Sequence, residues 1–251
     1  GIHGRNSTGT PDWSIDMRGF GMTGNQNTLV LLDGQRLNDI DQSTVKWSAI
    51  PVGAIERIEI MRNSGAVLYG DGASGGTINI ITRAPRKGLS GEVEATVASY
   101  DTTNVAGLLN SGGESASLRI AANQYESDGY RSNNRNVQKN LEGDLRFAAG
   151  SSEFSLKFGA DSQDLRLPGT RLVDPTIGVN QLETDRRGAA TPNDYATRDG
   201  YHVGLGVNRS LSIGAFAAEI AYRSKTETIY NPTYPSSLRD PYLETDLHLL
   251  P

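Results

Sequence analysis

After Pro85, apolar and polar positions alternate with a period of two almost throughout. Val93, Ala95 and Val97 alternate with Glu92, Glu94 and Thr96, and Ala116, Leu118 and Ile120 with Ser117, Arg119 and Ala121. Leu141, Leu145 and Phe147 interleave with Glu142, Asp144 and Arg146, and Phe154, Leu156 and Phe158 with Ser155, Lys157 and Gly159. Tyr201, Val203, Leu205 and Val207 repeat the pattern against His202, Gly204, Gly206 and Asn208, as do Phe216, Ile220 and Tyr222 against Ala217, Glu219 and Arg223. Successive side chains of a strand point to opposite faces, so each run predicts a strand with one apolar and one polar face. With Thr103–Asn110 and Tyr242–Leu250 the pattern predicts about eight strands.

The connections between these runs differ in length. Asn110–Gly113, Gly150–Ser152 and Leu211–Gly214 are short, whereas 127–137, 165–199 and 224–241 are long. Short turns at one end and long loops at the other describe an outer-membrane barrel. A soluble sandwich also alternates, but it rarely gathers every long loop at one end. The barrel reading expects the long loops at one end and Pro85 at the other. It expects Leu145, Phe147, Leu156, Phe158, Val203 and Leu205 to point outward, and Glu142, Asp144, Lys157 and His202 inward.

Residues 1–85 are written differently. Thr28–Leu32 is a short apolar run that stops at Asp33-Gly34, a turn dipeptide. Asn38–Thr44 is polar and loop-like, and Pro51 suits the first position of a short helical turn. Arg57–Met61 alternates as a half-buried strand, and Ala66–Tyr69 suits one helical turn. Gly70–Gly76 forces a sharp turn into the β-rich run Thr77–Thr82. A phosphate-cradling loop would need a Lys-Ser/Thr ending and a following helix, which this segment lacks. The sum is a small α+β unit with little core of its own.

Composition narrows the function classes. Of 251 residues, 36% are hydrophobic, 21% charged and 29 are Gly, with a net charge of −5. Without a basic excess, a phosphate-tracking nucleic-acid surface has no electrostatic support. The chain has no Cys, which removes disulfides, thiolate metal sites and catalytic thiols. His3, His202 and His248 are too scattered for metal-ligand spacing. Carboxylates abound, but none has a spacing that marks a general acid and base. The longest apolar runs, such as Leu29–Leu32, fall far short of the roughly 20 residues of a spanning helix, whereas a transmembrane strand needs only about 9–11 alternating ones. The first residue is Gly and the last residues break off inside an alternating pattern, so the chain is expected to be a fragment open at both ends.

Five segments of the first 85 residues resemble, in order and spacing, the plug domain of TonB-dependent outer-membrane receptors. They are Met17–Gly21, Leu29–Asn38, Ile50-Pro51, Ile55–Arg62 and Tyr69–Thr82. Met17 stands where Ile or Leu is usual, and Asn63-Ser64 where Gly-Pro is usual. The resemblance implies an α+β plug over residues 1–85 and antiparallel transmembrane β-barrel strands over 86–251. These strands would be the first eight or so of an incomplete barrel of about 22. It also implies that the Ton box and the terminal aromatic residue lie outside this stretch.

The function so implied is energised import of a scarce nutrient across the bacterial outer membrane, with no bond made in the substrate and hence no enzyme activity. A ferric siderophore is the default cargo and cobalamin the next. The expected partners are TonB with the inner-membrane ExbB–ExbD complex, the metal chelate and outer-membrane lipid; the expected state is a monomer without a cofactor. A passive porin shares the strands but has no reason to carry a plug, and a receptor with an added signalling role is the other alternative. In the resembled family, the positions of Arg18 and Arg62 pair with wall glutamates and lock plug to barrel; the fixed fork of Arg suits such pairing. Asp39, Asp41, Gln42, Lys46 and Trp47 fall at the apex that faces the ligand. Arg166, Arg171, Arg186, Arg187 and Arg198, mixed with acids, suit a solvated loop better than an anion trap.

Overall fold

The computed structural model describes residues 1–5, 11–39, 44–62, 70, 72–231 and, for the backbone alone, 236–250. The chain first forms a two-stranded ribbon of β1 (Ile2–Arg5) and β2 (Ser14–Met17). A four-stranded sheet follows, built from β3 (Thr28–Leu32), β4 (Gln35–Arg36), β5 (Ile55–Met61) and β6 (Gly76–Thr82) in the order β4-β3-β6-β5. The β3–β6 pair is parallel and the other two are antiparallel.

Every residue of β3 is buried, which is why its apolar run is continuous rather than alternating. Val30 and Leu32 pack with Val45, Ile50 and Ile80 on one face, while Leu29 and Leu31 meet Ala73 on the other. Asp33 and Gly34 turn β3 into β4 with φ of 52° and 91°. Positive φ at both central residues is the two-residue hairpin whose twist matches its strands. Gly76 opens β6 at φ 145°, and a Cβ there would collide with the Met17 side chain and the Met61 carbonyl. The Gly-rich segment therefore ends as expected, and Met17 fills the space that its glycine leaves. The run Arg57–Met61 lies in an edge strand whose Ile58, Ile60 and Met61 are exposed among the described residues. The helical turn expected at Ala66–Tyr69 lies outside the described residues.

The rest of the chain forms one antiparallel sheet of eight strands. These are β7 (Gly88–Ala98), β8 (Thr102–Gly112), β9 (Ala116–Ser127), β10 (Asn136–Ala149) and β11 (Ser152–Arg166). After a small hairpin of β12 (Val173–Asp174) and β13 (Val179–Asn180) come β14 (Tyr195–Leu211), β15 (Gly214–Tyr230) and β16 (Ser236–Leu250). Each large strand pairs with its sequence neighbours, β11 passing directly to β14, and the register is unbroken. Turns 113–115, 150–151 and 212–213 share one end of the sheet with Pro85, and connections 128–135 and 167–194 share the other, where β15 also ends. No helix among the described residues is long and apolar enough to cross a membrane.

The long connections are shorter than the sequence pattern implies. The stretch expected to loop over 224–241 is mostly strand, because β15 runs to Tyr230 and β16 starts at Ser236. Ser224, Thr226 and Thr228 hold the outer positions there, so hydrophobic alternation vanishes while the ladder continues. Ladder bonds come from the backbone and do not require apolar side chains.

Candidate functional site

The N-terminal sheet lies against the inner face of the eight-stranded wall, and that face is polar. The buried side chains of the wall include Arg119, Gln138, Asn140, Glu142, Asp144, Gln163, Arg198, Lys225 and Glu227. Its outer face carries Val93, Val105, Leu109, Phe147, Phe154, Val203, Leu205 and Ile220, all exposed. Leu145, Leu156, Leu205 and Ile220 form one outer cross-strand row, and Glu142, Gly159, His202 and Arg223 form one inner row. The faces therefore fall as the alternation predicts. Two glycines serve this arrangement. The Phe158 ring occupies the space a Cβ would need at Gly143, and His202 and Glu142 meet across Gly159 with Nε2 and Oε2 3.4 Å apart.

Three ion-paired contacts tie the N-terminal unit to this inner face. Asp33, at the hairpin tip, accepts hydrogen bonds from the Thr82 amide and hydroxyl, each at 2.7 Å, and sits 3.1 Å from Lys157 Nζ. Burial pushes the Asp33 carboxyl up, but Lys157 and the Thr82 bonds outweigh it and hold the group below its ordinary value. Asp39 is buried and accepts from Arg223 Nη2 at 3.0 Å and Lys225 Nζ at 2.6 Å, while Arg223 Nη1 also donates to the Leu37 carbonyl. Lys46 Nζ lies 3.4 Å from Glu227 Oε1. Between these contacts a neutral one intervenes: Asn140 donates to the Ser48 carbonyl and Gln163 to its hydroxyl.

Below Asp33 the wall carries a dense charge cluster. Arg119 stands directly across from Asp144 in register, yet the Asp144 carboxylate accepts from Arg146, which also reaches Glu153. Arg119 is 2% exposed, and its Nε and Nη1 have no hydrogen-bond partner among the described residues. Burying a guanidinium in this way requires counter-charge nearby, which Asp144, Glu142 and Asp33 supply. Among the described residues no group of three or more His, Asp or Glu is placed to hold a metal ion.

A sequence model of the TonB-dependent receptor plug domain matches residues 1–77. Over 90 residues the chain is 38% identical to the probable TonB-dependent siderophore receptor PirA of Acinetobacter baumannii, a match covering 32% of this chain and 12% of that protein. It is 33% identical over 122 residues to the vitamin B12 transporter BtuB of Photobacterium profundum, covering 48% of the chain and 20% of the transporter. The chain thus spans well under half of the relatives it matches. The crystal structure of A. baumannii PirA superposes on 95% of this chain with a TM-score of 0.70 at 20% identity, and covers 40% of the receptor. That of the unliganded ferric citrate transporter FecA superposes on 92% with a TM-score of 0.76 at 17% identity, and covers 36% of that chain. Residues 1–77 thus match the plug domain of TonB-dependent receptors, and the chain as a whole shares the fold of the plug and wall strands of such receptors.

Seen as a receptor plug against barrel strands, the expected site residues separate into groups. Arg18 and Arg62 are brought together: Arg18 Nη2 donates to the Arg62 carbonyl at 2.6 Å, and both side chains are exposed. Neither has a carboxylate partner among the described residues. Arg18 holds a φ of 73°, a conformation rare outside glycine, so the Arg-Gly segment is a tight turn that presents this guanidinium. Asp39 turns to the wall, as does Lys46. Trp47 packs beside the plug core and donates its indole N–H to the Trp13 carbonyl at 2.8 Å. Asp41 and Gln42 lie outside the described residues. The sequence reading missed Asp33, Lys157, Arg223, Lys225 and Glu227 as plug–wall partners. Their only advance signal was an unusually charged inner register on strands that otherwise alternate.

Proposed function

We propose that this chain is the plug and first strands of an energised outer-membrane importer, with the plug in residues 1–85 and the barrel wall in 86–251. The single observation that carries the reading is the inverted wall: apolar residues outside, charged residues inside, and a separate folded unit ion-paired to them. Such a wall suits lipid on one side and a wet lumen on the other. A unit held in the lumen by ion pairs and amide bonds, rather than by a shared apolar core, can be moved without tearing the wall.

In this reading TonB, energised by ExbB–ExbD, pulls the plug after a ligand has bound at its outer side. The cargo is a metal chelate, a ferric siderophore first and cobalamin next, as the names of the relatives suggest. Arg18 and Arg62, presented together at the plug surface, take up glutamates of other wall strands. The chain makes and breaks no bond in its cargo, sits in the bacterial outer membrane and acts as a monomer.

The test is accumulation of labelled ferric siderophores and cyanocobalamin by cells expressing the full-length protein, with and without TonB. Uptake that needs both the protein and TonB is the expected result. Uptake independent of TonB and proportional to concentration would make the protein a passive porin instead.

A further inference from the structure

Along β10 the inner-face side chains run Asn136, Gln138, Asn140, Glu142, Asp144, Arg146. The half toward the long connections is uncharged and the half toward Pro85 is charged. The uncharged half extends to β9, where Asn123, Tyr125 and Ser127 stand opposite it, whereas β11 places Gln163 across from Gln138 but Asp161 across from Asn140, and charge resumes with Arg198 on β14 and Glu227 on β15. These groups are knitted together: Asn140 donates to Asn123 Oδ1 at 3.0 Å, and Gln138 to Asn136 Oδ1 at 3.1 Å. Above them opens a cavity of about 230 Å3, with Tyr125, Ser127, Asn134 and Asn136 on its polar side and Pro11 and Leu165 on its apolar side. The Tyr125 hydroxyl and the Asn134 carboxamide make no hydrogen bond among the described residues.

The arginines around this cavity are already engaged. Arg135 and Arg166, which also line it, pair with Glu126 at 2.5 Å and Asp164 at 3.6 Å. In the long connections Arg171 pairs with Asp185 at 2.7 Å. Arg131 donates to the carbonyls of Pro168, Gly169 and Gly188. Arg187 donates to the Tyr130 carbonyl and lies over the rings of Tyr100 and Tyr130. These contacts hold loop to loop. A polyanion entering here would find Arg135, Arg166 and Arg171 paired with carboxylates, and would have to break the carbonyl contacts of Arg131 and Arg187 to gain counter-charge from them, which is costly. A neutral ligand would exchange water for amide and hydroxyl partners and lay its apolar parts on Tyr125, Leu165 and Pro11.

We propose that this sector of the outer vestibule binds the surface of an uncharged, oxygen-rich ligand, one bearing hydroxyl, amide and carbonyl groups around an apolar body, rather than a polyanionic chelate. The inference rests on the receptor reading above and names the chemistry of its cargo.

The test is equilibrium binding to the purified full-length receptor at low and high salt. The probes are cyanocobalamin, a neutral ferric trihydroxamate, a maltooligosaccharide and a trianionic ferric tricatecholate. The expected result is binding of a neutral probe with an affinity that changes less than about twofold with salt, since little charge is screened. Which neutral probe binds identifies the source. Tyr125→Phe should weaken it measurably, and Tyr125→Ala with Asn136→Ala about tenfold or more, with the barrel still heat-resistant on a gel. Tightest binding of the tricatecholate, falling steeply with salt, would overturn the proposal, as would neutral binding indifferent to both variants, or no binding of any probe. Cross-linking of the full-length protein to TonB judges the receptor reading separately, whichever probe wins.

Discussion

The buried side chains of the plug include Val30, Leu32, Ile50 and Ile80; those of the eight-stranded wall include Arg119, Glu142, Asp144 and Lys225, while Val93, Leu205 and Ile220 stand exposed. The plug hides apolar surface from water, as any small domain must. The wall hides polar surface and displays apolar surface, which is favourable only where the outside medium is itself apolar. One chain thus follows two opposite burial rules within a few residues of Pro85. The contrast also separates two kinds of cohesion. The plug is held by side-chain packing, the wall by its backbone ladder, and the join between them by a few charged and amide contacts that can be released singly.

The contrast can be broken most severely in the plug. Ile80→Ala should cost the plug about 2–5 kcal/mol, as large-to-small changes in packed cores do. The expected signature in the full-length receptor is faster hydrogen exchange in Thr28–Leu32 with an unchanged heat-resistant barrel; equal loosening of both would deny that they are held separately. Almost as large is the effect of one residue type on adjacent positions of β11. Leu156→Arg places charge on the outer face at about 2–4 kcal/mol. Ser155→Arg enters the inner cavity that also holds Glu153 and Glu219 and should be tolerated. Folded yields that fall equally would argue against a lipid-facing wall.

A smaller effect is expected where plug meets wall. Asp39→Ala removes the carboxylate that Arg223 and Lys225 share, at less than the about 3–5 kcal/mol of a dry buried pair because the lumen is wet and Lys225 keeps Glu227 at 3.9 Å. Arg18→Ala with Arg62→Ala should act similarly on the strands beyond this sheet. Either variant should admit large hydrophilic solutes while the barrel stays intact, and unaltered impermeability together with normal uptake would discount the locks. The smallest effect is one of pH. Asp33 is held below its ordinary value of 3.8, so its contribution is complete above that pH and is lost as the pH falls through the lower folded value. Acid loosening of the plug, followed by hydrogen exchange at Thr82, should therefore begin only below about pH 4. In Asp33→Asn that step should disappear; a loosening centred near neutrality in the native protein would point to another group.

Much of the fold was legible because it is local. Asp33-Gly34 announces a hairpin through its backbone preference, and Leu145-Arg146-Phe147 announces both faces of a strand through its period. Legibility failed where side chains stop reporting on the backbone, as in Ser224–Thr228, where polar residues fill both faces of a continuing strand. It failed again in the site. Asp39 reads in sequence as an apex residue, and nothing in its neighbourhood says that it will be claimed by Lys225, 186 positions away. The uncharged half of β10 is written plainly as Asn136, Gln138 and Asn140, but its meaning depends on a cavity that no single strand contains.

The sequence by itself determined most of the strands and which of their faces is apolar, where glycine must turn the chain and which plug motifs are present. These follow from steric limits and a side-chain period that hold residue by residue. Only the tertiary structure decided that Asp33 meets Lys157, that Asp39 meets Arg223 and Lys225, and that the arginines of the long connections are engaged by their own loops. Those pairings depend on the register of distant strands and on how the plug seats against them, and charges find their partners only after the backbone has fixed the distances.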